Sequence, residues 1–138
     1  MKIKTSRFGE IDVDGSRIIF MPEGILGFPA CKRFVMVGVR EDSPFAWLQG
    51  VDDPDLAFIL MDPFALKKDF NLPLCKDDMS DLRAREPGEI TFFLIVMVRR
   101  GEPPCIVANM RGPIAINRET FMGKQLVLHA SEIPLLAT

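Results

Sequence analysis

Apolar and polar residues alternate with a period near two along most of the chain, and runs of Gly, Pro, Asp and Asn interrupt the alternation at short intervals. KIKTSRF (2–8) alternates loosely. EIDV (10–13) and SRIIFM (16–21) flank the pair Asp14–Gly15, which predicts a two-residue hairpin, since both turn positions then need positive φ. PEGILGFP (22–29) is rich in Gly and Pro and predicts irregular backbone. RFVMVGV (33–39), FAWLQG (45–50) and LAFILMD (56–62) read as strands separated by EDSP (41–44) and DDPD (52–55), with Pro63 closing the third. FALKKDFNLPL (64–74) has mixed character, a loop with room for an edge strand.

CKDDMSDLR (75–83) is the convincing helical piece, with Met79 and Leu82 three apart on one face. EITFFLIVMV (89–98) is apolar at nearly every position, the pattern of a central strand covered on both faces. A turn at 99–104 leads to CIVANM, GPIAIN and, after RETFMG, KQLVLHA. About ten short strands, with one or two short helices, predict a mainly β, antiparallel barrel-like or sandwich fold. The chain is 138 residues long, and nothing in it reads as a linker, so a single domain over 1–138 is expected.

Composition narrows the functional classes. The chain is 48% hydrophobic with a slightly positive mean hydropathy, which argues against disorder. Met1 leads straight into KIKTSRF with no apolar leader core, and the longest apolar run is too short to cross a bilayer. A soluble cytoplasmic protein without membrane contact is expected. The net charge of −2 and pI near 5.4 weigh against broad binding to nucleic acid, which needs a basic face. Cys31, Cys75 and Cys105 lack the close spacing of zinc or redox pairs, and buried small hydrophobes in a reducing compartment is the simpler reading.

Candidate chemistry is sparse. His129 is the sole histidine, and no nucleophile motif surrounds it. Asp52, Asp53 and Asp55 are broken by Pro54 and lack the pattern of a calcium loop, while Asp77, Asp78 and Asp81 lie on the short helix, where acids suit its start. Gly24 and Gly27 are not followed by the Lys-Ser/Thr of a phosphate loop. No catalytic residue, metal ligand or cofactor is assigned. What remains is apolar surplus. Phe28, Phe45, Trp47, Phe58, Phe64 and Phe70 fall in or beside loops and short strands, where a Phe is either core or a contact surface for another protein.

The segment VANMRGPIAINRETFMGKQLVL (107–128) looks at first like a reactive loop. Each polar residue has a local use, however. Pro113 cannot donate to a ladder and marks an edge or a strand start. Asn109 and Asn117 suit turn backbone, Gln125 faces a neighbouring strand or solvent, and Gly112 and Gly123 relieve crowding at bends. A strand–turn–strand frame is the expected role.

PEGILGF, Phe34, DSPFAWLQ, LAFI with DPF, and above all ANMRGPIAIN with GKQLVL occur in order along nearly the whole chain. Together they resemble the flagellar assembly factor FliW family, on which Gly24, Gly27, Pro44, Gln49, Asn109, Pro113, Ile114, Asn117, Gly123 and Gln125 are motif positions expected to be structural. The resemblance implies a small antiparallel barrel-like fold, no catalysis, and two protein partners: flagellin and the RNA-binding translational repressor CsrA. In that scheme FliW weakens the hold of CsrA on flagellin mRNA, and flagellin competes for FliW. Partner contacts are expected at Phe28, Phe45 and Trp47 as apolar anchors. Asp52, Asp53, Asp55, Asp77 and Asp78 are expected to be charges that steer a basic partner. A small-molecule- or RNA-binding β-barrel is the alternative.

Overall fold

The computed structural model describes residues 1–65, 70, 72, 74–99 and 105–128. β1 (Lys2–Thr5) and β2 (Gly9–Asp12) form a two-stranded antiparallel sheet. The main sheet contains β3 (Ile19–Phe20), β4 (Arg33–Val37), β5 (Phe45–Gly50), β6 (Ala57–Met61), β7 (Ile90–Arg99), β8 (Cys105–Ala108), β9 (Ile114–Asn117) and β10 (Gly123–Gln125). Its order is β10-β9-β7-β6-β5-β4-β3, with β8 also paired to β7, and each ladder between these strands is antiparallel. Among the described residues the strands form the mainly β, antiparallel architecture expected from sequence.

β7 is the strand on which the sheet is built. One edge pairs with β6 at Leu94, Ile95 and Val96. The other edge pairs with β9 through Ile90–Phe93 and with β8 through Val96–Arg99. β8 and β9 are thus two pieces of one antiparallel partner, interrupted at 109–113, where Asn109 N–H still reaches the Ile95 carbonyl at 2.8 Å. Gly112 and Pro113 lie in this break, which is why the 107–128 segment carries so many turn-forming residues without being a loop.

Alternation along the strands divides the core. Leu48, Leu60, Ile95 and Ile114 share one face with Phe34 and meet Ile19, Met21 and Ile25. Met61, Phe92, Leu94, Val96 and Ala115 share the opposite face and meet Phe70, Leu72 and Leu82. Both clusters are buried, and each wholly buried Leu or Ile contributes roughly 1.5–3 kcal/mol relative to an exposed one. The nearly continuous apolar pattern of β7 follows: Phe93 and Ile95 feed one cluster, and Ile90, Phe92, Leu94 and Val96 feed the other.

The sheet curls until its ends meet. Phe20 in β3 forms an isolated parallel bridge with Met122, just before β10, and its N–H bonds the Phe121 carbonyl at 3.0 Å. The result is an antiparallel half-barrel. The Asp14–Gly15 hairpin expected from sequence is not formed. Asp14 instead caps a 3₁₀ turn, Gly15–Arg17, by accepting the Ser16 N–H at 2.9 Å, and β2 pairs with β1 rather than β3. Asp-Gly serves a helical start as readily as a hairpin, and the partner strand decides between them.

α1 (Lys76–Asp81) is too short to hold itself. Cys75 caps it: Sγ accepts the Asp78 N–H at 3.4 Å while the Asp78 carboxylate accepts the Cys75 N–H at 3.3 Å. Leu82 follows, wholly buried. The adjoining carbonyl is then tied to the sheet by Asn117, itself wholly buried, whose Nδ2 donates to Leu82 O at 2.9 Å. Its Oδ1 accepts from Glu119 N at 2.8 Å and Thr120 N at 3.3 Å. Asn117 therefore joins the helix exit to the β9–β10 turn. Asn117→Ala should lower stability by about 2–3 kcal/mol by orphaning these groups, read as a drop in urea midpoint with unchanged m-value. A loss below about 0.5 kcal/mol would show that the tie carries no weight.

Candidate docking surfaces

The turn of the β1–β2 hairpin is pressed against the main sheet. Ser6 N–H bonds the Pro54 carbonyl at 2.9 Å, and the Ser6 hydroxyl donates to the Asp55 carboxylate. Phe8 meets Trp47 edge-on at 5.6 Å between ring centroids, and the Arg7 guanidinium lies 4.5 Å above the indole. Such a cation–π contact contributes on the order of 0.5–1 kcal/mol at an exposed site. Trp47, Asp53 and Asp55 are thereby gathered with Ser6, Arg7 and Phe8 into one mixed polar and aromatic surface.

The acids of this region are not equivalent. Asp52 accepts two bonds from the Arg33 guanidinium, one of them 2.8 Å from Nε, and Arg33 holds its carboxyl below the usual carboxylate range. Asp53 accepts the Asp55 N–H at 3.1 Å, closing the 52–55 turn. Gln49, in β5, spans that turn from beneath.

Phe45 shares the Trp47 face of β5 but packs half-buried on the second core cluster. Much of its ring is committed to the fold. Phe28 belongs to a different surface. It is 45% exposed and stands edge-on to Phe58 at 5.4 Å, next to Leu26, which is 81% exposed. The loop holding both is set by Gly24, at φ +66°, where a Cβ would come within 2.6 Å of the Phe28 carbonyl oxygen. Only glycine fits there without displacing the backbone. Gln125 secures the loop to the sheet: Oε1 accepts the Leu26 N–H at 2.8 Å, and Nε2 donates to Gly112 O at 3.0 Å. Asn109 accepts the Arg111 N–H at 3.1 Å within the strand break. Pro113, Ile114 and Gly123 are buried, Gly27 is exposed at φ +91°, and Pro44 is exposed while its carbonyl accepts the Asp62 N–H.

Asp77 and Asp78 sit apart from the other acids, on α1. Asp77 is exposed. Asp78 is largely enclosed and meets Lys124 Nζ at 3.0 Å, with Asp81 at 2.7 Å from the same ammonium. Burial pushes the Asp78 carboxyl up, but the bonds from Lys124 and Cys75 outweigh it and hold the group below its ordinary value. Burial pulls Lys124 down, and Asp81 and Asp78 more than restore it.

A feature that sequence reading missed is an apolar cleft of about 710 Å³, whose wall includes Ile19, Met36, Phe93, Ile116 and Phe121, with Arg118 at its rim. Phe121 holds φ +59°, an unusual backbone for a bulky residue. In sequence the TFMG turn carries no sign of it, because the cleft exists only once the 12–19 segment, β4, β7 and β9 are brought around Phe121. His129, Arg100 and the 129–138 tail lie outside the described residues, so the sequence reading of His129 is neither extended nor revised. Among the described residues, no three His, Cys, Asp or Glu side chains are grouped to hold a metal ion, and no helix is long and apolar enough to cross a membrane.

The chain is a curled antiparallel half-barrel whose surface carries exposed aromatics, paired acids and an open apolar cleft. Comparison with known proteins gives that class its family. The FliW protein family model matches residues 2–137. Flagellar assembly factor FliW of Geotalea uraniireducens is 39% identical over 132 residues, spanning 96% of this chain and 80% of that protein. The FliW of Magnetococcus marinus is 37% identical over 92% of this chain and 78% of its own length. The crystal structure of a flagellar assembly factor FliW superposes with a TM-score of 0.84 at 28% identity, covering 99% of this chain and 95% of that one. The chain belongs to the FliW family of flagellar assembly factors, a name that denotes an assembly role rather than a catalytic one.

The Asp78–Lys124 pair gives a defined pH signature. A carboxyl lowered in the folded state contributes stability above its unfolded value, about 3.9, and loses it as pH falls through the folded value. Asp78→Asn should cost about 1 kcal/mol at pH 7, and the gap from the parent should close below about pH 4. Equal stability of the two proteins at neutral pH, in urea melts, would refute the pairing.

Proposed function

We propose that this protein acts in the cytoplasm as a regulator of flagellin synthesis, binding flagellin and the RNA-binding translational repressor CsrA without transforming either. The observation that carries the reading is the family match along nearly the whole chain. Exposed Leu26 and Phe28, and the Trp47 surface, support it as places where apolar anchors meet a partner.

The physics is modest. A tenfold weakening of the hold of CsrA on mRNA needs about 1.4 kcal/mol of coupling, and the same coupling makes RNA weaken CsrA's attachment here. Flagellin and CsrA then compete by mass action, each weighted by free concentration over its dissociation constant. Charge contributes to encounter more than to affinity. Asp52 and Asp78 are already paired with Arg33 and Lys124, so Asp53, Asp55 and Asp77 carry the steering. The 710 Å³ cleft favours a second reading, a small-ligand site, because its size is that of ligand pockets. Native mass spectrometry of freshly isolated protein distinguishes the two.

Calorimetric titration of the purified protein with flagellin and with CsrA from the same cells should give saturable binding of each, and prior loading with flagellin should weaken CsrA binding. Inertness toward both would end the proposal. Leu26→Ser combined with Phe28→Ala should weaken at least one partner by about tenfold or more, with melting temperature lowered by no more than a few degrees. Raising salt from about 50 to 500 mM should slow association if Asp53, Asp55 and Asp77 steer a basic partner. A salt-independent rate would remove them from that role.

A further inference from the structure

The first core cluster is open to solvent at the apolar cleft. Ile19 and Ile116 belong to that cluster, and Met36, Phe93 and Phe121 pack against it half-buried. All five line the cleft of about 710 Å³, a size within the roughly 300–1,000 Å³ of ligand pockets. Phe121 is the most constrained of them. It holds φ +59° while its N–H bonds the Asn117 carbonyl at 2.9 Å and its own carbonyl accepts the Phe20 N–H at 3.0 Å. A bulky residue is thus kept in left-handed backbone by bonds on both sides, a strain that folded chains concentrate at ligand clamps and similar sites.

Four charged side chains, Asp12, Asp14, Arg17 and Arg118, complete the wall. Both acids are already answered. Asp12 meets the Met1 ammonium at 3.1 Å. Asp14 accepts the Ser16 N–H at 2.9 Å and the Ser16 hydroxyl at 2.6 Å, with Arg17 Nε at 3.9 Å. Arg118 differs. Nη1 donates to the Thr91 hydroxyl at 2.9 Å and Nη2 to the Gly88 carbonyl, and both acceptors are neutral. Among the described residues no ion pair includes it. Two bonds fix the guanidinium, and three of its five N–H groups are left. The rim therefore sets a positioned, uncompensated positive charge beside an apolar hollow.

We propose that this cleft binds an amphipathic carboxylate, an aliphatic chain ending in a carboxylate as in a medium-chain fatty acid, with the chain against Met36, Phe93 and Phe121 and the head on Arg118. The chain and the wall both leave water, which is favourable in proportion to the apolar area covered. The planar guanidinium suits the two oxygens of a carboxylate better than an ammonium would. One surplus charge beside one hollow fits a ligand with a single head and a single chain. The inference deepens the small-ligand reading of the cleft and does not depend on the binding of flagellin or CsrA.

The experiment titrates the full chain, labelled with ¹⁵N and with ¹³C at methyl groups, with decanoate, decanol and decyltrimethylammonium, each kept below its micelle threshold. Decanoate should give saturable shifts at the methyls of Ile19, Met36 and Ile116 and at the Phe121 amide, and should bind about tenfold more tightly than decanol. The cationic probe should bind more weakly than either. Arg118→Gln, at an exposed residue, should bring decanoate down to the level of decanol and leave decanol unchanged. Val39→Glu, on the exposed rim of the cleft, should weaken decanoate about threefold or more by repulsion. No saturable shift, shifts confined to the 26–28 loop, equal binding of decanoate and decanol, or full decanoate affinity in Arg118→Gln would each overturn the proposal. Cleft signals that ignore decanoate but move on addition of flagellin or CsrA would give the cleft to a protein partner, ending this proposal and leaving the docking function standing. Decanoate binding by a protein inert toward flagellin and CsrA would do the reverse.

Discussion

β7 sets the terms for every other element. A strand with Phe92, Leu94 and Val96 on one face and Phe93 and Ile95 on the other carries apolar side chains to both sides over most of its length, and only its Met97 end is largely exposed. Both edges must be paired and both faces covered, because an exposed flat apolar strand would associate with others of its kind. The chain meets this demand with β6 on one edge, β8 and β9 on the other, the β3 region over one face, and Phe70, Leu72 and Leu82 over the other. Curling follows from the first face. To enclose Ile95 and Ile114, the two ends of the sheet have to come round until Phe20 touches Met122.

The fold was legible in sequence wherever local pattern and global demand agreed. FAWLQG, LAFILM and ITFFLIVMV became strands within a residue or two of the expected limits, since alternation or continuous apolarity leaves a short segment few other uses. CKDDMSDLR became a helix because its acids suit the start and Leu82 has a core to enter. Asp14–Gly15 failed because the pair is locally ambiguous, and the choice was made by β1 (Lys2–Thr5), well back along the chain, which took β2 as its partner. The interrupted strand at 109–113 was legible as turn-forming composition but not as one broken ladder, since that needs β7 in view.

The surface was less legible than the core, for a physical reason. Whether an aromatic near a turn faces solvent depends on what folds over it, and nothing nearby in sequence reports this. Phe28 and Phe45 look alike as Phe beside Gly or Pro, yet one is nearly half exposed and the other is packed on a core cluster. Charges behave the same way. Asp52 and Asp53 are adjacent, but Arg33 reaches only the first. The cleft at Phe121 has no local signature at all, because it arises from segments that are distant in the chain and meet only after the sheet has curled.

The break between β8 and β9 has a consequence for how this scaffold tolerates change. Register along β7 is held independently on either side of residues 109–113, by Val96 opposite Ala108 and by Phe93 opposite Ile114. An inserted residue near Met110 would therefore be taken up in slack between two anchored ladders. The same insertion inside β7 would rotate every following side chain onto the wrong face and turn the two cores inside out. Length variation in this architecture has a natural outlet, and it lies beside the core rather than at a remote tip.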